Sequence, residues 1–211
     1  MTGKIKLVHS GGNSVSVAVP TNAPSASEVE FKLPQSDGSA NEVLKTDGSG
    51  NLSFVAQSGG LFGNYAILKD VKSEGSDGGS FTQDQWQVRD LNTEYYDPDG
   101  IVTLSNNIFV LSAGNYFIRF SAPALRVDKH KCVLYKESGT QTVLAHGSSE
   151  RSADGALYQT RSMGIYRGAI AANTNLQIRH RCTSTKANNG LGHNVTAGEE
   201  LYTIVEIFKE N

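Results

Sequence analysis

Apolar and polar positions alternate from the start of the chain. Ile5 and Leu7 alternate with Lys4 and Lys6, and Val15, Val17 and Val19 alternate with Ser14, Ser16 and Ala18. A period of two is the signature of a strand with unlike faces, and Ser10-Gly11-Gly12-Asn13 supplies a turn between the two runs. Pro20 and Pro24 end the pattern, and Val29 and Phe31 open another short extended piece. A pair of short strands without a third layer is marginal in water. Residues 1–31 therefore read as an extended attachment arm that becomes ordered against copies of itself or a partner. A disordered leader is the alternative that composition allows.

Residues 32–63 are rich in turns. Asp37-Gly38-Ser39 and Asp47-Gly48-Ser49 bracket one short apolar ridge, Val43 and Leu44, with Leu52 and Phe54 following. These four residues are too few for a core of their own, but they suffice for a trimerising neck if three copies bury them against each other. Residues 56–63 read as a hinge.

From Asn64 onward, strand follows strand. The pattern predicts strands at 64–72, 85–91, 101–111, 115–125, 130–136, 141–146, 158–171, 175–183 and 200–209. Asp97-Pro98-Asp99-Gly100, Ser112-Ala113-Gly114, Glu137-Ser138-Gly139 and Asn188-Asn189-Gly190 supply turns. Strands at this spacing without amphipathic helices predict an all-β fold. The expected architecture is an antiparallel jelly-roll sandwich over 64–211, preceded by the extended arm and neck.

Composition agrees with that picture. Hydrophobic residues make up 38% of the 211, charged residues 19%, and glycines number 22, a balance that suits many short strands and turns. The net charge of -2 is shared evenly, with four basic and five acidic residues in 1–60 and fifteen and sixteen in 61–211. A near-neutral chain with no long basic run offers no electrostatic case for nucleic acid or an anionic membrane. No apolar run reaches membrane-spanning length, and the opening MTGKIKLVHSGG lacks the apolar stretch of a signal peptide. Folding in a cytoplasm, with both cysteines reduced, is the expectation.

The ordered set Trp86, Leu91-Asn92-Thr93-Glu94, Tyr96-Asp97-Pro98-Asp99-Gly100-Ile101-Val102, Leu104-Ser105 and Leu111-Ser112-Ala113-Gly114-Asn115-Tyr116-Phe117-Ile118 resembles the opening of tumour-necrosis-factor and complement-type globular heads. The version it is similar to is common at the C-termini of bacteriophage proteins. The resemblance continues through Ser121-Ala122-Pro123, His130-Lys131-Cys132-Val133-Leu134-Tyr135, Ile178-Arg179-His180-Arg181-Cys182 and Thr203-Ile204-Val205-Glu206-Ile207, so it covers essentially all of 64–211. Gly3-Lys4-Ile5-Lys6-Leu7, His9-Ser10-Gly11-Gly12-Asn13, Leu33-Pro34, Asp37-Gly38 and 43–53 look like the N-terminal and neck modules of marine, especially cyanobacterial, phage structural proteins. The resemblance implies a homotrimeric head attached to other virion proteins through the arm.

The sharpest local pattern is His-x-Cys, twice, at His130-Lys131-Cys132 and His180-Arg181-Cys182. On neighbouring strands all four side chains would share one face. Two Cys with two His is a zinc-type set, and the cysteines could instead form a disulfide. Leu134 and Ile178 share that face, however, so packing in the core is the reading. The opposite face would carry Lys129, Lys131, Arg179 and Arg181. A solvated sheet face is the reading there, and an anion-binding patch for a phosphorylated or acidic glycan is the alternative.

Tyr95-Tyr96-Asp97-Pro98-Asp99-Gly100 combines sugar-stacking rings with calcium-type carboxylates, but it lacks further ligands and makes a good turn. Exposed loops at 73–80, 148–155 and 185–193 are the expected contact regions. They carry Asp77, Ser149, Arg151, Asp154, Lys186, Asn188, Asn189 and His193 as candidate binding residues.

There is no Gly-x-Ser-x-Gly elbow, no phosphate-cradling loop and no His-Glu-x-x-His. No motif calls for a cofactor, and the chain is not expected to be an enzyme. The expected function is a phage virion surface protein, a tail fibre or appendage whose trimeric head contacts host surface glycan or protein. The alternative is a capsid decoration, head-fibre or tail-junction protein with a structural role. The shortness of residues 32–63 favours the alternative, because as a shaft they reach at most about 100 Å fully extended.

Overall fold

The computed structural model describes residues 3–56, 62–153 and 158–210. The chain divides into two compact units, Met1–Gln57 and Ser58–Asn211. The expected hinge falls chiefly on residues 57–61, outside the described residues.

In the first unit, β1 (Lys4–Val8) and β2 (Ser14–Ala18) form an antiparallel hairpin. Ile5 stands opposite Val17 and Leu7 opposite Val15, so four apolar side chains share one face, and all four are exposed. The second hairpin joins β3 (Glu42–Thr46) to β4 (Leu52–Ala56). Its turn is held by Asp47, whose carboxylate accepts from the Ser49 backbone N–H at 2.7 Å and from Asn51 Nδ2 at 2.6 Å. Leu44 pairs with Phe54, Thr46 with Leu52, and Val43 with Val55. Paired residues share a face and neighbours alternate. The hairpin therefore puts Leu44, Leu52 and Phe54 on one side and Val43 on the other, dividing the ridge expected from adjacency in sequence. The first Asp-Gly-Ser turn packs on this hairpin. A Cβ on Gly38 would fall 2.6 Å from the Phe54 ring, and Glu42 Oε2 accepts from the Ser39 N–H at 2.7 Å.

The second unit is a two-sheet sandwich. One sheet is built from β5 (Phe62–Lys72), β7 (Thr93–Tyr96), β10 (Gly114–Leu125), β14 (Gln159–Ile170) and β16 (Glu200–Glu210), in the order β14-β10-β16-β5-β7. The larger sheet contains β6 (Gln87–Val88), β8 (Val102–Ser105), β9 (Ile108–Leu111), β11 (Asp128–Lys136), β12 (Thr142–His146), β13 (Glu150–Ser152) and β15 (Thr174–Cys182). Its order is β12-β11-β15-β9-β8, with β13 paired to β11 and β6 to β15. All named pairings are antiparallel. The row β5-β16-β10-β14 faces the row β9-β15-β11-β12, which is the eight-stranded jelly-roll connectivity. The head is a jelly roll.

Alternation along each strand builds the core. Ala66, Leu68, Tyr116, Ile118, Phe120, Val205 and Ile207 from the smaller sheet bury against Phe109, Leu111, Cys132, Leu134, Leu176 and Ile178 from the larger one. A second cluster, Phe81, Ala124, Val127, Cys182 and Leu191, lies under the long loops at one end. Arg89 ties those loops down. It is fully buried, with Nε donating to Thr203 Oγ1 at 3.0 Å and Nη2 to the Leu191 carbonyl at 2.7 Å. Burial lowers its pKa to about 10, so it remains charged near neutrality.

Two predicted strands differ in the structure. The run at 101–111 is a hairpin, because Asn106 and Asn107 both take positive φ, 50° and 64°, and reverse the chain between β8 and β9. Asparagine tolerates the left-handed region that such two-residue turns require. Of 85–91 only Gln87–Val88 pairs as a strand. Beyond it Leu91 is fixed by a side chain, its N–H donating to Asn107 Oδ1 at 3.0 Å. The short strands β7 and β13 lay outside the predicted set.

Candidate functional site

The His-x-Cys pairs meet inside the head. β11 and β15 place His130 opposite Cys182 and Cys132 opposite His180, and all four side chains are buried. The residues form a hydrogen-bonded core. His130 Nδ1 lies 3.0 Å from His180 Nε2, and His130 Nε2 lies 2.7 Å from Thr160 Oγ1. The Cys132 thiol donates to Ser162, and the Cys182 thiol to the Ser184 carbonyl. Burial pushes both thiols up to about 11 and holds His130 down at about 4. Burial also holds His180 well below the usual histidine value, with the Arg89 charge adding to the effect. Cys132 and Cys182 pack into the two core clusters as small apolar residues. Among the described residues, no three His, Cys, Asp or Glu side chains converge as a metal site.

The structure divides the loop candidates. Asp77, Asn189 and His193 come together: His193 Nδ1 lies 2.8 Å from Asp77 Oδ1 and 3.4 Å from Asn189 Nδ2. Asn194 adds its backbone N–H to Asp77 at 2.9 Å. Against the cost of burial, these bonds hold the Asp77 carboxyl below its usual value. Lys186 pairs through its backbone with Phe81, and the Asn188 N–H donates to Ser80 Oγ. This end of the head is stitched to itself, and its polar groups are largely spent on loop structure. Asp154 lies outside the described residues.

Ser149 and Arg151 belong to a different place. They line a cleft of about 520 Å3 on the outer face of the larger sheet, together with Trp86, Lys129, Lys131, His146 and Arg181. Trp86 is 45% exposed. Arg151 Nε donates to Asp128 Oδ1 at 2.9 Å, and Arg181 Nη2 to Asp84 Oδ1 at 2.8 Å. Arg179 stands apart from this group, with its guanidinium 3.7 Å from the centre of the Tyr135 ring. Trp86 and His146 were not singled out as site residues by sequence reasoning. The available signal was a lone tryptophan in the polar run Asp84-Gln85-Trp86-Gln87.

The turn at 97–100 spends its carboxylate internally. Asp97 Oδ1 accepts from the Ile101 N–H at 3.0 Å and Oδ2 from the Val102 N–H at 2.9 Å. The Tyr95 ring carries the Lys69 ammonium at 3.3 Å.

The second open surface is the outer face of the five-stranded sheet. Register sets Phe117 beside Phe208 and Phe208 beside Tyr65, and Tyr96 follows at 5.6 Å from Tyr65. A parallel row holds Ile165, Arg119, Glu206 and Ile67, with Arg119 and Glu206 ion-paired at 3.5 Å. Met163 and Ile165 are 60% and 61% exposed beside a hollow of about 240 Å3. The aromatic row and the row holding the ion pair lie side by side on this face.

No protein-family model matches the chain, and no curated protein matches it. Solved structures similar to it include that of murine APRIL at pH 5.0, with a TM-score of 0.47 and 10% identity, covering 69% of this chain and 98% of that one. Eiger TNF from S. frugiperda is similar at a TM-score of 0.44 and 13% identity, covering 70% of this chain and 94% of that one. The globular domain of zebrafish complement 1qA protein is similar at a TM-score of 0.44 and 14% identity, with 69% and 98% covered.

Proposed function

We propose that the chain is a bacteriophage virion surface protein. Its jelly-roll heads assemble as a homotrimer through the open face of the five-stranded sheet and contact host surface carbohydrate or protein. The observation that carries this reading is that face itself. Met163 and Ile165 are exposed there beside the half-buried rings of Phe117, Phe208 and Tyr65, on a head whose core is already complete, and exposed apolar patches mark association sites. Three copies around one axis bury it with an ordinary cyclic symmetry, and three presented heads gain avidity from individually weak contacts. The resemblance of the arm and neck to marine phage structural proteins supports a place on the virion, assembled in the host cytoplasm. The head acts by binding, without catalysis, cofactor, nucleic acid or membrane insertion.

A specific observation favours a second reading, that of a structural capsid decoration, head-fibre or tail-junction protein. The arm exposes Ile5, Leu7, Val15 and Val17 on one hairpin face. An apolar ribbon of that kind suits an arm clamped onto other virion proteins. Gold-labelled antibody against residues 64–211, applied to intact particles and viewed by electron microscopy, tests both readings. Gold confined to the tail end is the expected result. Gold spread over the capsid would move the function to shell decoration, and gold absent from particles would overturn both.

A further inference from the structure

The cleft on the larger sheet carries a charge arrangement that works against folding. β11 and β13 place Lys129 directly opposite Arg151, and β11 and β15 place Lys131 directly opposite Arg181. Like charges directly opposite each other destabilise a sheet, and here two such pairs lie side by side. Asp128 and Asp84 each answer one arginine, and Lys131 makes no ion pair among the described residues. Glu150 adds one carboxylate to the same cleft, with one oxygen accepting from the Ser148 hydroxyl at 2.6 Å.

Register adds a second feature. β6 pairs Gln87 with His180, so the preceding residue, Trp86, falls opposite Arg181. β13 pairs Glu150 with His130, and Ser149, just before β13, lines the same cleft as Lys131. Lys131 and Arg181 are register partners, and Trp86 and Ser149 line the same cleft from the flanking segments, so the four span four neighbouring segments. At the usual strand spacing that span is about 14 Å long, enough for several sugar rings. It offers an open indole at one end, two cations in the middle and a hydroxyl at the other end.

Resting on the reading of the head as a surface-recognition module, the geometry points to a binding site for an acidic polysaccharide bearing carboxylate or sulfate groups. A pyranose ring lies on the Trp86 indole, and its anionic substituent sits between Lys131 and Arg181. Aromatic faces stack on the C–H face of a sugar, and paired cations supply charge-assisted hydrogen bonds to its acid group. Single-stranded nucleic acid would also stack on an indole. It is disfavoured here because this span carries one aromatic ring and two cations, without the long basic track such strands require.

Trp86 is the one tryptophan in the chain, so its fluorescence reports the site directly. The test titrates the full-length protein with oligogalacturonate and with dextran sulfate fragments, using neutral dextran and a single-stranded oligonucleotide as comparisons. The expected result is a saturable Trp86 signal with either acidic sugar that weakens as salt is raised. The variant K131E should lose at least tenfold in affinity, while its melting temperature stays level or rises because a like-charge pair has become an ion pair. The charge-matched arm variant K6E should bind normally. Equal affinity of K131E and K6E would overturn the site, as would tighter binding of the oligonucleotide. A chain that is trimeric and labels virions, yet shows no Trp86 response to either acidic sugar, would overturn the saccharide site alone.

Discussion

His130 Nδ1 and His180 Nε2 lie 3.0 Å apart between neighbouring strands of the head, in rings that are almost wholly buried. Phe81 packs against the His180 ring at 4.8 Å, and Thr160 bonds the far nitrogen of His130. A hydrogen bond between two imidazoles holds with both rings neutral, and burial enforces that state.

Acid should therefore weaken the head, starting near the ordinary histidine value. The folded-state pKa of His130, about 4, lies below its ordinary value of 6.5. The unfolded chain thus takes up a proton that the folded head refuses. Stability is complete above about pH 6.5 and falls as the pH drops towards 4, by roughly 3 kcal/mol for His130. His180, shifted in the same direction, steepens the fall. Urea midpoints measured from pH 7.5 to 5 should decline from about pH 6.5 downward. A flat profile over that range would contradict the neutral buried pair.

Packing between β10 and β14 gives a sharper stability test. Gly164 stands opposite Phe120 in register, and a Cβ there would meet the Phe120 ring at 2.2 Å. Gly164→Ala should cost about 1–3 kcal/mol, because a filled core accepts an added methyl only by straining its neighbours. An unchanged melting temperature would show that the ring can move away.

Asp97 separates a turn from an ion site. Its carboxylate takes two backbone N–H groups at the start of β8, so Asp97→Ala should lower stability by about 1.5–3 kcal/mol. Added calcium should leave the wild-type melting temperature unchanged. A calcium-dependent rise abolished by the substitution would reassign the turn as a metal loop.

The sequence exposes these features unevenly. Period-two alternation located β5, β10, β11, β14, β15 and β16 to within a residue or two, because along most of each strand one face is the more buried; β12, which buries no residue, was located by the turns around it. The alternation at 130–136 and 175–183 also put His130, Cys132, His180 and Cys182 on one face, and the structure finds them together in the core. The β8–β9 turn was legible but missed: Ser105-Asn106-Asn107 interrupts the apolar run with turn-forming residues. The cleft, by contrast, was hidden. Trp86, Arg181, Lys131 and Ser149 are brought together by strand register across a sheet, and register between distant segments is not written in local pattern. The separation of Val43 from Leu44 follows from strand alternation alone, once 42–46 is seen as a strand.

The most direct test of the proposed trimer is sedimentation equilibrium of the full-length chain, run beside the variant Ile165→Lys. Ile165 is exposed on the open face of the five-stranded sheet, so a lysine there adds charge to the interface without touching the core. The expected masses are three chains for the wild type and one chain, still folded by circular dichroism, for the variant. A wild-type mass of one chain, or a variant that stays trimeric, would contradict assembly through that face.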